Sequence, residues 1–363
     1  MEKKVTILIL ILAVVIVTIL IILSITSPQF SPSNSNLEEC KTLEYNGENK
    51  INIVFFSDKQ TAQKYSDYFL EISPFNQNKN SFNFFYIDSY IPKCELYKGI
   101  AILCYSNELI KKASSCPNDY IVVIRDEEQK IRSSAYMNVM SLNSRYPLAV
   151  FPHEFGHAFL TLAEEYVPAS LPDNPKNCFQ NCEEFTIKEG CYQGCSESNY
   201  FRSIDNGIMR TLNSESFGNF NEQLFESKIN SLSKITAAAV QEFIDCTNQK
   251  YFLIKGQIIS NEITILEKTI ETGCVGGNGA GSFNFTIIKT TGEEIQGSDF
   301  NPGEVFTDSY FEQELSGEII PYEIFILKVQ IIENPKSLEI YKAGEKISEI
   351  NLEEIGSYPC KNE

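Results

Sequence analysis

HEFGHAFLTLAEEY, residues 153–166, carries the two histidines of a 363-residue chain. Four residues apart on a helix, His153 and His157 project from one face about a turn from each other, so both imidazoles can reach a single metal ion. Glu154 stands beside them, placed as a general base for an activated water. Phe155, Phe159 and Leu162 fall on the opposite side, so the spacing predicts a helix with a core-facing back and a site-facing front. Two surface histidines around a chance glutamate are the plain alternative, and that amphipathic context argues against it.

A catalytic zinc takes three protein ligands and keeps one position open. With no further histidine, the third ligand is expected to be a carboxylate, ahead of a Cys or Tyr. Glu164 and Glu165 follow the second histidine by seven and eight residues. On a continuing helix Glu164 would share the histidine face but lie roughly 10 Å further along. One of the pair can therefore ligate only if the chain turns after about Leu160. The alternative is a glutamate on a distant element, with Glu183, Glu184, Glu189 and Glu197 as candidates.

Working outward, the segment before this helix alternates apolar runs with amphipathic stretches. INIVFF (51–56), FNFFYI (82–87) and YIVVI (120–124) read as buried strands, residues 60–72 as a helix, and AYMNVMS (135–141) as a further strand near the sheet edge. Such alternation argues for an α/β layer with a largely parallel sheet. After the histidines, Leu224, Phe225, Ile229, Leu232, Ile235, Ala239 and Phe243 recur at helical spacing and predict a helix over 222–245. From 251 onward, YFLIKGQII, FNFTIIK, EIFILKVQII and SLEIYK are short strands between Gly-rich or polar turns, the pattern of an antiparallel β-sandwich. The expected organisation is a stub and span at 1–26, a linker at 27–45, a metal-binding α/β domain at 46–248 with a Cys-rich insertion at 170–200, and an all-β sandwich at 249–363.

Residues 5–25 form an uncharged run dominated by Ile, Leu and Val, long enough as a helix to span roughly 30 Å of hydrocarbon. Lys3 and Lys4 precede it, which keeps that end in the cytoplasm and sends the rest outside. A cleaved signal peptide is the rival reading, but the run exceeds an ordinary h-region and no A-x-A-like site follows. All eleven cysteines lie beyond this run. Cys178, Cys182, Cys191 and Cys195, spaced C-x3-C-x8-C-x3-C, are expected as two disulfides rather than a second zinc site, because the compartment is oxidising. The odd total leaves one thiol over.

The net charge of -18, from 30 Lys plus Arg against 48 Asp plus Glu, excludes a general nucleic-acid binder. The Gly-rich GCVGGNGAGS around Cys274 lacks the Lys of a phosphate loop and reads as a turn. Asn284-Phe285-Thr286 is a sequon.

HEFGHAFLTLAEEY resembles the zinc helix of the IgA-peptidase family of metallopeptidases, H-E-F-G-H-x-F-x-x-L-A-D-E-Y. KINIVFFSDKQTAQKYSDYF (50–69) is similar to that family's strand-then-helix start, and YFRSIDNGIMR (200–210) to its Y-R-x-x-x-N-S-I-M segment. The likeness covers roughly residues 50–245, and the later sandwich, with IPYEI, also looks like the family's C-terminal domain. It implies a metzincin-like zinc peptidase that hydrolyses a peptide or protein substrate. His153 and His157 would be ligands, Glu154 the base, Glu165 (or Glu164) the third ligand, and Met209 the methionine of a Met-turn. Tyr166, Tyr200 and Arg202 are candidates for a second electrophile. The chain departs from the family at Glu164, where the family has Asp, at Leu160 and Thr161, where it has small residues, and at Gly207 in place of Ser.

Overall fold

Apolar runs without polar alternation belong to strands covered on both faces, and three of them build the centre of the molecule. A computed structural model describes residues 37–187, 190–233, 245–260, 262–309 and 316–353. The first half of the chain gives β1 (Lys41–Glu44), β2 (Ile51–Phe56), α1 (Lys59–Phe69), β3 (Phe82–Ile87), β4 (Glu95–Tyr97), β5 (Ala101–Leu103), α2 (Asn107–Ala113), β6 (Tyr120–Arg125), β7 (Ser133–Tyr136), β8 (Val139–Asn143) and α3 (Val150–Leu160). Then come β9 (Tyr192–Cys195), β10 (Glu197–Arg202) and α4 (Asn219–Ser233). Strands alone follow: β11 (Lys250–Ile259), β12 (Glu262–Thr272), β13 (Phe283–Lys289), β14 (Glu294–Phe300), β15 (Gly303–Ser309), β16 (Ser316–Tyr322), β17 (Ile324–Gln330), β18 (Pro335–Lys342) and β19 (Glu345–Asn351).

Among the described residues the largest sheet has eight strands in the order β1-β3-β2-β6-β8-β7-β15-β16. β3, β2, β6 and β8 are parallel, and the flanking strands run antiparallel to their neighbours. Side chains alternate between the two faces. Ile53, Phe55, Phe82, Phe84, Tyr120 and Val122 join α1 and α3 in one core cluster. Val54, Phe56, Phe85, Ile87, Ile121 and Val123 join α2 and the later strands in another. Two smaller antiparallel sheets, β12-β11-β17 and β14-β13-β18-β19, bury Phe252, Ile254, Phe285, Phe325 and Leu338 in that second cluster. The fold is mixed α/β with one large sheet and many strands.

Several sequence expectations change. Residues 37–45 are not linker: β1 adds to β3, and the Cys40–Cys116 disulfide pins its start to the end of α2. The single edge strand expected at 135–141 is an interior hairpin, β7 and β8 around Met137 at φ 54°. No glycine marks that turn, which hid it. α3 is not half-exposed but buried on every side as far as Phe159. Its back packs Phe155 edge-on against Phe69 and Tyr120, each at 5.1 Å between ring centroids. The expected division at 249 is crossed by β15, which leaves the later strands to pair with β7.

Among the described residues five disulfides form, joining 40–116, 94–104, 178–195, 182–191 and 246–274. The four clustered cysteines thus make two nested bonds. No helix of the described residues is long and apolar enough to cross a membrane. The expected span at 5–25, residues 234–244 of the expected second helix, Glu189 and Cys360 all lie outside the described residues.

Candidate metal centre

Helix α3 carries His153 and His157 one turn apart and stops at Leu160. Thr161 takes a left-handed conformation, φ 56° and ψ 40°, and its N–H returns to the carbonyl of His157 at 2.9 Å. That turn is the one the sequence requires if a following glutamate is to reach the histidines. It also brings the carbonyl of Leu162 back to His157 Nδ1, at 2.7 Å.

His153 Nδ1 faces the carbonyl of Ile208 at 2.9 Å. A carbonyl only accepts, so both Nδ1 atoms carry a ring proton, and in the neutral rings both Nε2 atoms present lone pairs. The two Nε2 atoms are 3.1 Å apart. Glu164 Oε1 lies 2.8 Å from His157 Nε2 and 3.6 Å from His153 Nε2. With neutral rings three electron-rich atoms thus converge, a set that a metal ion or a shared proton can bridge. Separations of 2.8, 3.1 and 3.6 Å put all three atoms within reach of a single metal ion. His153, His157 and Glu164 form a buried group that could hold a metal ion.

The geometry gives the carboxylate position to Glu164, not to the favoured Glu165. The cause is the single left-handed residue at 161, which sets the direction of the next strand of chain and cannot be counted from helical spacing. Glu165 points away, into a bed of its own. Its Oε1 accepts from Asn221 Nδ2 at 2.7 Å and from Asn177 Nδ2 at 3.1 Å, and its backbone N–H donates to the carbonyl of Met209 at 2.9 Å. Complete burial pushes its carboxyl up to about 7. Glu183, Glu184 and Glu197 are exposed and take no part.

Three supports fix this arrangement. Met209 lies beneath the histidine helix, so close that a Cβ on Gly156 would stand 2.8 Å from its Sδ; the glycine of H-E-F-G-H is what lets the two approach. Asn177 holds Ala163 at both its N–H (2.7 Å) and its carbonyl (2.9 Å), and the neighbouring Cys178–Cys195 bond fixes Asn177. Lys228 on α4 donates to the carbonyl of Phe159 at 2.6 Å, capping the negative end of α3. Burial draws that amine down to about 8. Asn177, Asn221 and Lys228 were not visible as site residues in the sequence, because nothing in their local spacing connects them to the histidines.

Of the other candidates, Arg202 clamps the β9–β10 hairpin, donating to the carbonyls of Gln193 and Gly194 at 2.6 and 2.7 Å. The hydroxyl of Tyr200 accepts from Gln180 Nε2 at 3.2 Å. Tyr166 is buried beside the hairpin strand β16. Glu154 is buried on α3 next to His153. No protein-family model matches this chain, and no curated protein matches it.

Proposed function

We propose that this chain is a zinc metallopeptidase held at a membrane by its N-terminal segment, with its metal centre outside the cytoplasm. The observation that carries the reading is the convergence of His153 Nε2, His157 Nε2 and Glu164 Oε1, with both Nδ1 atoms turned to backbone carbonyls, next to Glu154 on the same helix. Five disulfides support an oxidising compartment. The α/β part with the metal helix and the later antiparallel sheets fit a metzincin-like peptidase followed by a β-sandwich, with Met209 as the Met-turn residue.

Zinc, when bound, supplies the Lewis acidity that makes water acidic near neutral pH and polarises a carbonyl. His153, His157 and Glu164 would hold it, and the carbonyls of Ile208 and Leu162 keep the two rings oriented. Glu154 takes the proton of the attacking water and delivers it to the leaving amine, acting as base and then as acid. Glu165, tied to Asn177 and Asn221, positions Glu164 through the chain.

The test uses the full chain with its disulfides intact. Zinc content is measured by elemental analysis, and slow cleavage of unfolded casein is followed over hours. The expected result is one zinc per chain in the wild type and in Glu154→Gln, little zinc in His157→Ala, and cleavage reduced at least a thousandfold in Glu154→Gln. Cleavage that survives in Glu154→Gln, or a wild type that takes up no zinc, would sink the reading.

A further inference from the structure

The group that would hold the metal is sealed. The side chains of His153 and His157 are 0% exposed and that of Glu164 is 4% exposed. A peptide needs the open position beside these ligands, so what packs over the group governs access to it.

Two of the covering contacts come from one element, the β15–β16 hairpin. On β15, the ring of Phe306 stacks on His157 at 4.5 Å between centroids and 18° between planes. On β16, Gly317 presses against Glu164 so tightly that a Cβ there would stand 2.7 Å from Glu164 Cγ and 2.8 Å from the Tyr166 hydroxyl. The hairpin also takes the free edge of β7, in the extended antiparallel pairing that an incoming peptide strand would use.

We propose that β15–β16 is a self-inhibitory strap: it fills the peptide-binding edge of β7, lids the metal group, and must peel away before the site can act. This rests on the metallopeptidase reading above. The construction of the hairpin fits release as a unit. β15 pairs with β16 over seven residue pairs but with β7 over only three, so the backbone seam to β7 is the shorter one, and release must also withdraw Val305 and Ile320 from the core. Outside that seam, Arg132 holds β16, with NH2 donating to Ser316 Oγ at 2.7 Å and NH1 3.3 Å from a carboxylate oxygen of Glu318, which is 48% exposed. The backbone of Gly317 bonds to Pro168 and Ser170. At its base the strap leaves β14 through Asn301, Pro302 and Gly303, the last at φ 101°, and rejoins β17 after Glu323. Both attachment points belong to the two smaller sheets, which therefore anchor the strap while its body lies across the other half of the molecule.

The experiment compares the full chain with Arg132→Ala, which loosens the strap without touching a metal ligand, and Phe306→Ala, which removes the lid over His157. The first readout is the rate at which excess dipicolinate strips zinc from the loaded protein, expected to rise at least tenfold in both variants. The second is amide hydrogen exchange, which needs neither metal nor activity. Amides of β15 and β16 are expected to exchange at least a hundredfold faster than those of β2 and β6 in the wild type, and faster still in Arg132→Ala. If the strap amides exchange only with the central strands, the hairpin is a fixed part of the sheet and the proposal is overturned; zinc stripping at the wild-type rate in both variants overturns it as well. Casein cleavage is recorded alongside. Faster stripping with no gain in cleavage upholds the strap and removes the peptidase reading, so the two fail separately.

Discussion

Removing the two nested disulfides one at a time separates chain stability from the integrity of the metal group. Cys178–Cys195 closes a separation of 17 residues and Cys182–Cys191 one of 9. Loop-closure entropy makes them worth about 3 and about 2.5 kcal/mol, nearly equal. Their surroundings differ. Cys178 and Cys195 are buried against Ala163, so replacing both by alanine adds a packing loss of roughly 1 kcal/mol. Cys178 also adjoins Asn177, whose side chain makes three hydrogen bonds, two to Ala163 and one to Glu165. Outer partners of a metal group typically govern about 10- to 100-fold in affinity. The double variant Cys178→Ala/Cys195→Ala is therefore expected to lose about 4 kcal/mol in urea unfolding followed by far-ultraviolet circular dichroism. Its zinc affinity should fall at least tenfold in competition with a chromophoric chelator. Cys182→Ala/Cys191→Ala should lose about 2.5 kcal/mol and bind zinc as the wild type does. Equal losses of affinity in the two variants, or none in the first, would refute the claim that the Cys-rich segment supports the metal group through Asn177.

The remaining predictions concern a buried amine and a strained turn. Lys328 on β17 is completely buried with its Nζ on Asn118 Oδ1, and burial brings its pKa down to about 7 against the field of Asp119. The unfolded chain, with a lysine near 10.4, binds more protons above that point, so stability should rise as pH climbs from about 7 towards 10. Lys328→Met should flatten this slope in urea midpoints taken at pH 6, 8 and 9, and an unchanged slope would assign it to other groups. At Thr161, the left-handed backbone costs a β-branched residue about 1–2 kcal/mol, of which glycine would recover part after its own entropy loss. Thr161→Gly should raise the melting temperature by roughly 1–3 °C; a fall would mean that the turn is not where the strain lies.

Much of the molecule could be read from residues alone, for physical reasons that differ from part to part. The runs at 51–56, 82–87 and 120–124 were legible because strands covered on both faces need continuous apolar sequence, and those runs became β2, β3 and β6. The pairing of His153 with His157 was legible because four residues make about one helical turn. The choice between Glu164 and Glu165 was not, because one residue's backbone handedness decides it and Thr161 gives no glycine signal. Phe306, Asn177 and Asn221 were invisible for another reason. They reach the site through long-range pairing, and spacing along the chain says nothing about partners that far apart.

The pairing of Phe306 with Ala135 joins positions 171 residues apart (306 minus 135). During synthesis at about 5–20 residues per second, the strand that will receive β15 is made roughly ten to thirty seconds before its partner exists. For that interval the nascent chain carries an uncovered sheet edge, which is the kind of edge that recruits other chains. Only a late-made stretch closes it, so the protein's solubility while it is being born and its later restraint depend on the same twenty-odd residues. A product cut short before residue 303 would be both adhesive and unmuzzled.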